Sequence, residues 1–437
     1  MTAAIPILKR YTRVTPFRGA SEGIPQAFMT NSPRIAVTGL GVVAPGAIGV
    51  DAFRTALYSG ASCAADIDRF DTSAMKSHRA GLVRDFKAKD FIPVMKLRRM
   101  NNLSRMGLAA AKIAIAETGL DVAGLARTDI GVAIGTAFGP VQTSVEYLRE
   151  YMARGAAMAP PQLFAESVAN APGSHIAIEH GFEGFNVTFT QRESSMLTSL
   201  MFACGQILKG TTKAALCGGV DEMNEVLYSV FDRIGALARA TGALPEEGRP
   251  FDRRRNGMLV GEGSAAIVLE RPNGLRAAPW AYVSGFGIAK DETATISDWG
   301  SDAAAVVRAM RAALDDAGIA PSDAGAVWAS ANGSIRGDLL EARALGEFFG
   351  ASCPPVVATK AIFGEYVAGG GAHLASAIMA VRDQRLPASP GFAEAEDGVA
   401  LPVTREAAPA ELRHVLVNSL SAGGGIVCAV ISRNDVG

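Results

Sequence analysis

The chain has 437 residues, 49% of them hydrophobic and 48 of them glycine, a composition that suits a compact α/β protein with many tight turns and argues against disorder over most of its length. Its formal charge is −1, from 42 basic and 43 acidic side chains, so no global field draws it to nucleic acid or to a membrane surface, and a charged partner must be met by a local patch. Five cysteines, Cys63, Cys204, Cys217, Cys353 and Cys428, have neither metal-ligand spacing nor the even count of a disulfide framework, which fits a reducing cytoplasm and no metal.

Residues 1–33 read as a loose N-terminal extension in which Lys9, Arg10, Arg13 and Arg18 are mixed with prolines and no apolar run is long enough for a secretory leader. No segment reaches the roughly 18 consecutive apolar residues of a spanning helix, so no membrane span is expected. The first strand runs from Arg34 to Gly41 and closes on a glycine turn. An apolar helix from Gly107 to Leu120 ends in Glu-Thr-Gly-Leu, and a buried strand follows from Asp129 to Gly135. A helix from Ser194 to Leu208, apolar nearly all round, stops at Gly210 and leads into a strand from Ala214 to Cys217.

The same order then returns. A strand from Ala281 to Ile288 is followed by a helix from Ala303 to Ile319 that ends in Asp-Ala-Gly-Ile, a strand from Ala324 to Ser330, a buried helix from Gly364 to Arg382 and a strand from His414 to Leu420. Two like halves, 34–272 and 278–437, are therefore expected, each built of parallel-sheet α/β units packed as layers.

The strongest motif is Arg249-Pro-Phe-Asp252 with Gly257, then Gly261-Glu-Gly263 and an apolar strand ending at Glu270. Val37-Thr-Gly-Leu-Gly41, Lys96-Leu-Arg-Arg-Met100, Gly131 to Thr136, Cys217-Gly-Gly-Val-Asp221 and Lys360 with the glycine-rich stretch to Gly371 accompany it. Together these segments resemble the β-ketoacyl-acyl carrier protein synthases from residue 34 onward. The resemblance implies a thiolase-like α/β fold, two similar halves in five αβαβα layers, working as a dimer without a cofactor.

Where that family carries its nucleophilic cysteine, this chain has Glu193, nine residues after Gly184 and 28 before Asp221; Gln191 is two positions off. A carboxylate cannot carry an acyl chain through condensation as a thiolate does. By resemblance the position is a tight turn where a buried helix begins, and an anion there gains only ~0.3–1 kcal/mol from the helix terminus. Burying an unpaired carboxylate costs several kcal/mol. Glu193 is therefore expected to be hydrogen-bonded, paired with a cation such as Arg192, or protonated.

The two family histidines are also replaced. Asn332 stands for the first, in Asn332-Gly-Ser-Ile-Arg-Gly-Asp338, a segment two residues shorter than the family pattern. Glu365 stands for the second, in Lys360-Ala-Ile-Phe-Gly-Glu365, where Lys360 is retained. By resemblance those imidazoles steady the enolate and the thioester oxygen as malonyl loses carbon dioxide; an asparagine still donates a hydrogen bond, whereas an ionised glutamate repels both species. The last glycine-rich loop, Asn418-Ser-Leu-Ser-Ala-Gly-Gly424, lacks the family's two gating phenylalanines. His78, His175, His180, His373 and His414 fall on no catalytic position and are expected to be structural or exposed.

A retained scaffold with discarded chemistry resembles the chain length factors of type II polyketide systems, including those making aryl polyenes, which pair with an active ketosynthase as a heterodimer and shape its acyl tunnel. Those proteins usually have glutamine at the cysteine position, and Glu193 departs from that. Resemblance puts the length-controlling wall at Phe138, Pro140, Thr143 and Tyr147, with Phe164 nearby; bulky Phe138 and Tyr147 end the tunnel and Thr143 leaves room. Ordinary core packing is the bland alternative. Lys96, Arg98, Arg99 and Arg105 form a basic cluster suited to an acidic acyl carrier protein, met directly or through the partner, or to a plain solvated face. The rival readings are a malonyl-acyl carrier protein decarboxylase using Glu193, acid–base work by a Glu193–Glu365 pair, a partner subunit for very-long-chain lipid A acyl synthesis, and a homodimeric scaffold.

Overall fold

Ten strands of one mixed sheet carry the duplication. In chain order they are β1 (Ile35–Ala44), β2 (Ile130–Gly135), β3 (Asn186–Phe189), β4 (Ala214–Asp221), β5 (Gly263–Glu270), β6 (Ala281–Lys290), β7 (Ala324–Trp328), β8 (Val356–Val357), β9 (His414–Leu420) and β10 (Gly425–Ser432). The helices that place the site are α1 (Asn102–Thr118), α2 (Val141–Arg154), α3 (Ser195–Lys209), α4 (Glu225–Arg233), α5 (Ala303–Ala317) and α6 (Gly371–Asp383). The computed structural model describes residues 35–118, 124–273, 275, 278–396 and 399–433. The extension expected over 1–33, the helix stop expected at Gly119 and Leu120, and residues 434–437 lie outside them.

The strand order is β8-β7-β9-β10-β6-β1-β5-β4-β2-β3, with the short strand Ala47–Ile48 paired to β1. Read outward from the centre, the two sides match: β1 with β6, β5 with β10, β4 with β9, β2 with β7 and β3 with β8. At the centre β1 and β6 pair antiparallel, Ile35 with Val283 and Val37 with Ala281. The expectation of purely parallel units is corrected here. The pairs β2–β3, β2–β4, β7–β8 and β7–β9 are parallel, but β1–β5, β4–β5, β6–β10 and β9–β10 are antiparallel. For β9 and β10 the cause is local, since the tight turn over Ser421 to Gly424 leaves no room for the long crossover that parallel neighbours need.

Helix α1 covers β1, β4 and β5 from outside, and α5 covers β6, β9 and β10 in the same way. Between them, α3 and α6 pack against each other and against strands of both sides. The result is the αβαβα stack expected from the motifs. A middle-layer helix has no solvent face, which explains why α6 buries every residue from Gly371 to Val381 and why α3 reads as apolar all round. Close packing on the strands needs glycine: a Cβ on Gly135 would lie 2.5 Å from the Ser195 carbonyl carbon of α3, and one on Gly219 would lie 1.8 Å from the Ala368 oxygen in the segment that precedes α6.

The helix expected from Gly364 to Arg382 is shorter. Lys360–Phe363 makes one turn, and α6 starts only at Gly371. In the gap Gly364, Tyr366, Ala368, Gly369 and Gly370 all have positive φ, which a right-handed helix cannot contain. Among the described residues no helix is long and apolar enough to cross a membrane.

Candidate functional site

Helix α3 is entered through a 3-10 turn, Arg192–Ser194, in which Arg192 takes φ 50. That turn drives the Glu193 side chain into the protein, where the residue is 1% exposed. Oε1 of Glu193 accepts from the Tyr366 hydroxyl at 2.7 Å, and Oε2 has no partner among the described residues. Burial, reinforced by the neighbouring Glu365 charge, raises its pKa to about 7. Arg192 does not pair with it, because the guanidinium turns away to donate to the Ile296 carbonyl at 2.8 Å. Of the three fates open to Glu193, hydrogen bonding with a raised pKa is the one realised.

The other two altered positions close on each other. Glu365 is buried, and its Oε2 accepts from Lys360 Nζ at 2.8 Å and from Asn332 Nδ2 at 2.7 Å, while Oε1 accepts from the Tyr366 N–H at 3.1 Å. Three donors on one carboxylate make a satisfied buried ion pair, the condition under which a buried charge is tolerated. The Asn332 amide that might have met a thioester oxygen is thus spent on Glu365, and its own oxygen accepts from the Ser334 N–H at 2.9 Å. The cavity left beside Lys360, Glu365, Tyr366 and His373 is about 10 Å³. That holds no more than one water.

His373 borders this space without serving it. Its Nε2 lies 3.2 Å from the Asn418 carbonyl and its Nδ1 lies 3.1 Å from Thr359 Oγ1, and burial lowers its pKa to about 3. It is a neutral structural imidazole. His175 pairs with Glu166 at 2.7 Å, His414 meets Ser432 Oγ at 2.7 Å, His78 meets Thr72 Oγ1 at 3.1 Å, and His180 stacks on Phe182.

Tyr366 is the site residue that sequence reasoning missed. It is 3% exposed, stacks on Phe231 with ring centroids 5.4 Å apart, and receives the edge of Phe138 at 5.0 Å. The signal is one bulky aromatic directly after Glu365, inside the glycine-rich motif from Lys360 to Gly371 but at a position that its lysine and glycines do not specify.

The five wall candidates fall into four places. Phe138 is half-buried and turns inward onto Tyr366 and Phe231. Pro140 is the N-cap residue of α2. Tyr147, on α2, packs its ring 5.6 Å from that of Phe164, which is exposed. Thr143 is buried beside a cavity of about 270 Å³ that Arg98, Arg99, Arg105, Gln142 and Glu222 also line. Three of the basic cluster thus share one recess with a wall candidate. The fourth is apart: Lys96 is taken up with Lys112 in an ion-pair cluster on Glu179, and Arg105 already donates to the Leu97 carbonyl at 2.8 Å.

Residues 32–273 match the family model described as "Beta-ketoacyl synthase, N-terminal domain", and residues 280–393 match "Beta-ketoacyl synthase, C-terminal domain". The ketoacyl synthase beta subunit of the tetracenomycin polyketide synthase of Streptomyces glaucescens is 30% identical over 407 residues, covering 92% of this chain and 98% of that protein. The 3-oxoacyl-[acyl-carrier-protein] synthase 2 of Vibrio cholerae is 27% identical over 402 residues, covering 90% of this chain and 97% of its own length. Among solved structures, the ishigamide ketosynthase/chain length factor superposes with a TM-score of 0.85 at 27% identity, covering 92% of this chain and 99% of that one.

Proposed function

The chain belongs to the β-ketoacyl synthase family, and from that premise we propose that it is a non-condensing subunit of chain length factor type, which pairs with an active ketosynthase and shapes its acyl tunnel. The observation that carries this reading is the sealed site. Glu193 is committed to Tyr366, Glu365 and Asn332 are committed to each other and to Lys360, and the cavity beside Lys360, Glu365 and Tyr366 is only about 10 Å³. Relatives of both kinds exist, one a polyketide synthase beta subunit and one a 3-oxoacyl synthase, so similarity alone does not choose between them. The residues do.

In such a pair the chain contributes packing, not chemistry. The partner's thiolate holds the growing acyl group, the carrier protein brings malonyl units to that partner, and α2 of this chain stands across the tunnel with Thr143 and Tyr147 setting its depth. Arg98, Arg99 and Arg105 share their recess with Glu146, Glu166 and Glu222, so an acidic carrier would meet single guanidinium groups there and no net positive patch. A decarboxylase reading has the Glu193 pKa of about 7 in its favour. Against it stands the Asn332 amide, already spent on Glu365, since an enolate needs a free donor. Carbon dioxide release from malonyl-carrier protein by the isolated chain, lost in Glu193→Ala, would reverse the choice.

Co-expression with the candidate ketosynthase tests the reading. The expected result is a mixed dimer by mass, with Tyr147→Ala lengthening the product; a chain that never leaves the homodimer, or a product length indifferent to Tyr147→Ala, would sink it. The same product analysis separates polyketide assembly from very-long-chain lipid A acyl synthesis.

A further inference from the structure

We propose that Glu193 and Tyr366 form a positioning pair that fixes the ring of Phe138 in the turn from which α2 starts, so that the discarded nucleophile position sets the depth of the partner's tunnel. The inference rests on the chain length reading above and assigns the buried acid a use within it.

The path from acid to wall is short. Glu193 Oε1 receives the Tyr366 hydroxyl at 2.7 Å. The Tyr366 ring stacks on Phe231 of α4 at 5.4 Å, and Phe138 inserts its edge against both, 5.0 Å from Tyr366 and 5.7 Å from Phe231. Edge-to-face contacts of this kind fix ring orientation as well as burying area. Phe138 is followed by Gly139, with φ 69, and by Pro140, the residue that opens α2.

The backbone of that turn is held from its other side. Asp221 Oδ1 accepts from the Ala137 N–H at 2.7 Å and from Thr136 Oγ1 at 2.8 Å, and Thr136 Oγ1 accepts in turn from the Gly139 N–H at 3.0 Å. With the main chain pinned, what remains to be set is the rotamer of Phe138, and the Tyr366–Phe231 pair sets it. Tyr366 sits at φ 64, a left-handed conformation that a residue with a Cβ keeps only when its surroundings dictate it. The hydroxyl bond to Glu193 and the N–H bond to Glu365 supply that restraint at both ends of the residue. A carboxyl group offers an acceptor to the hydroxyl in either protonation state, and so does an amide.

The test uses the full chain in its mixed dimer with an active ketosynthase, fed malonyl-carrier protein, with product length read by mass spectrometry. Phe138→Ala, Tyr366→Leu and Glu193→Ala are expected to move the main product to longer chains by at least one condensation unit. Glu193→Gln, which keeps the acceptor, is expected to retain the wild-type length. If Phe138→Ala lengthens the product while Tyr366→Leu and Glu193→Ala do not, the pair has no hold on the wall and the proposal is overturned with the chain length reading intact. If Phe138→Ala and Tyr147→Ala both leave length unchanged, the chain length reading itself falls and takes the proposal with it. Should Tyr366→Leu fail to assemble by mass, Tyr366→Phe decides: it keeps the ring and loses the latch, so a product distribution broadened toward longer chains supports the proposal and a wild-type distribution overturns it.

Discussion

Glu193 is an acid that the fold prefers to keep protonated. Its ordinary pKa of 4.5 rises to about 7 in the folded chain, chiefly because burial removes the water that would solvate the charge. Between those two values the folded chain binds more protons at this position than the unfolded chain does, so the contribution to stability is complete below about 4.5 and is lost as pH rises to about 7. Asp221, Glu222 and Glu341, also raised by burial, slope the same way. They cancel in a comparison of one substitution. Glu193→Gln is therefore expected to match the wild type near pH 4.5 and to exceed it at pH 8 by on the order of 3 kcal/mol, measured by urea unfolding at both pH values. Equal stabilities at pH 8 would show that the acid is solvated. At this scale the identities at the altered positions were legible, because flanking glycines and Asp221 give the register of Glu193 from both sides. The partner of Glu193 was not, because Tyr366 is 173 residues away and its motif, Lys360 to Gly371, is read by its lysine and glycines and not at this position.

The segment between Lys360 and α6 decides how the altered side chains meet. Five positive-φ residues between Gly364 and Gly370 fold it back on itself, carrying Glu365 to Lys360 and Asn332 and carrying Tyr366 to Glu193. Periodicity counted this stretch as helix because its small apolar residues suit a buried helix as well as a tight loop, and a run of left-handed residues leaves no mark on hydrophobic spacing. Within the segment Lys360 and Glu365 form a buried ion pair at 2.8 Å. Lys360→Met would leave a buried carboxylate with only neutral donors and is expected to cost about 3–5 kcal/mol, seen as a lower Tm. Adding Glu365→Gln is expected to recover most of that loss, as a double-mutant cycle would show. Additive effects of the two changes would mean that the pair is not coupled.

Seen whole, the molecule leaves large apolar side chains in solvent on and beside α2. Leu148 is 53% exposed, Met152 83%, Met158 63% and Phe164 58%. Surfaces of that kind on a folded chain are characteristic of interaction sites. On the proposed heterodimer reading, this patch is covered by the ketosynthase, so Met152→Glu is expected to weaken the mixed dimer at least tenfold without lowering the Tm of the chain alone; size exclusion with mass detection across a dilution series reads the first and a thermal melt the second. A mixed dimer unaffected by Met152→Glu would place the partner elsewhere. The sequence by itself determined the family, the repeated order of helices and strands, and the loss of thiolate and imidazoles, because these rest on residue type at fixed spacing along the chain. The tertiary structure alone decided that antiparallel strands join the two sides, that Glu365 meets Lys360 and Asn332, and that Glu193 meets Tyr366. Burial is the physical reason: a carboxylate taken from water must find a donor in three dimensions, and Glu193 found its donor 173 residues away while Glu365 found Asn332, 33 residues away, both through a turn whose handedness hydrophobic patterning does not record.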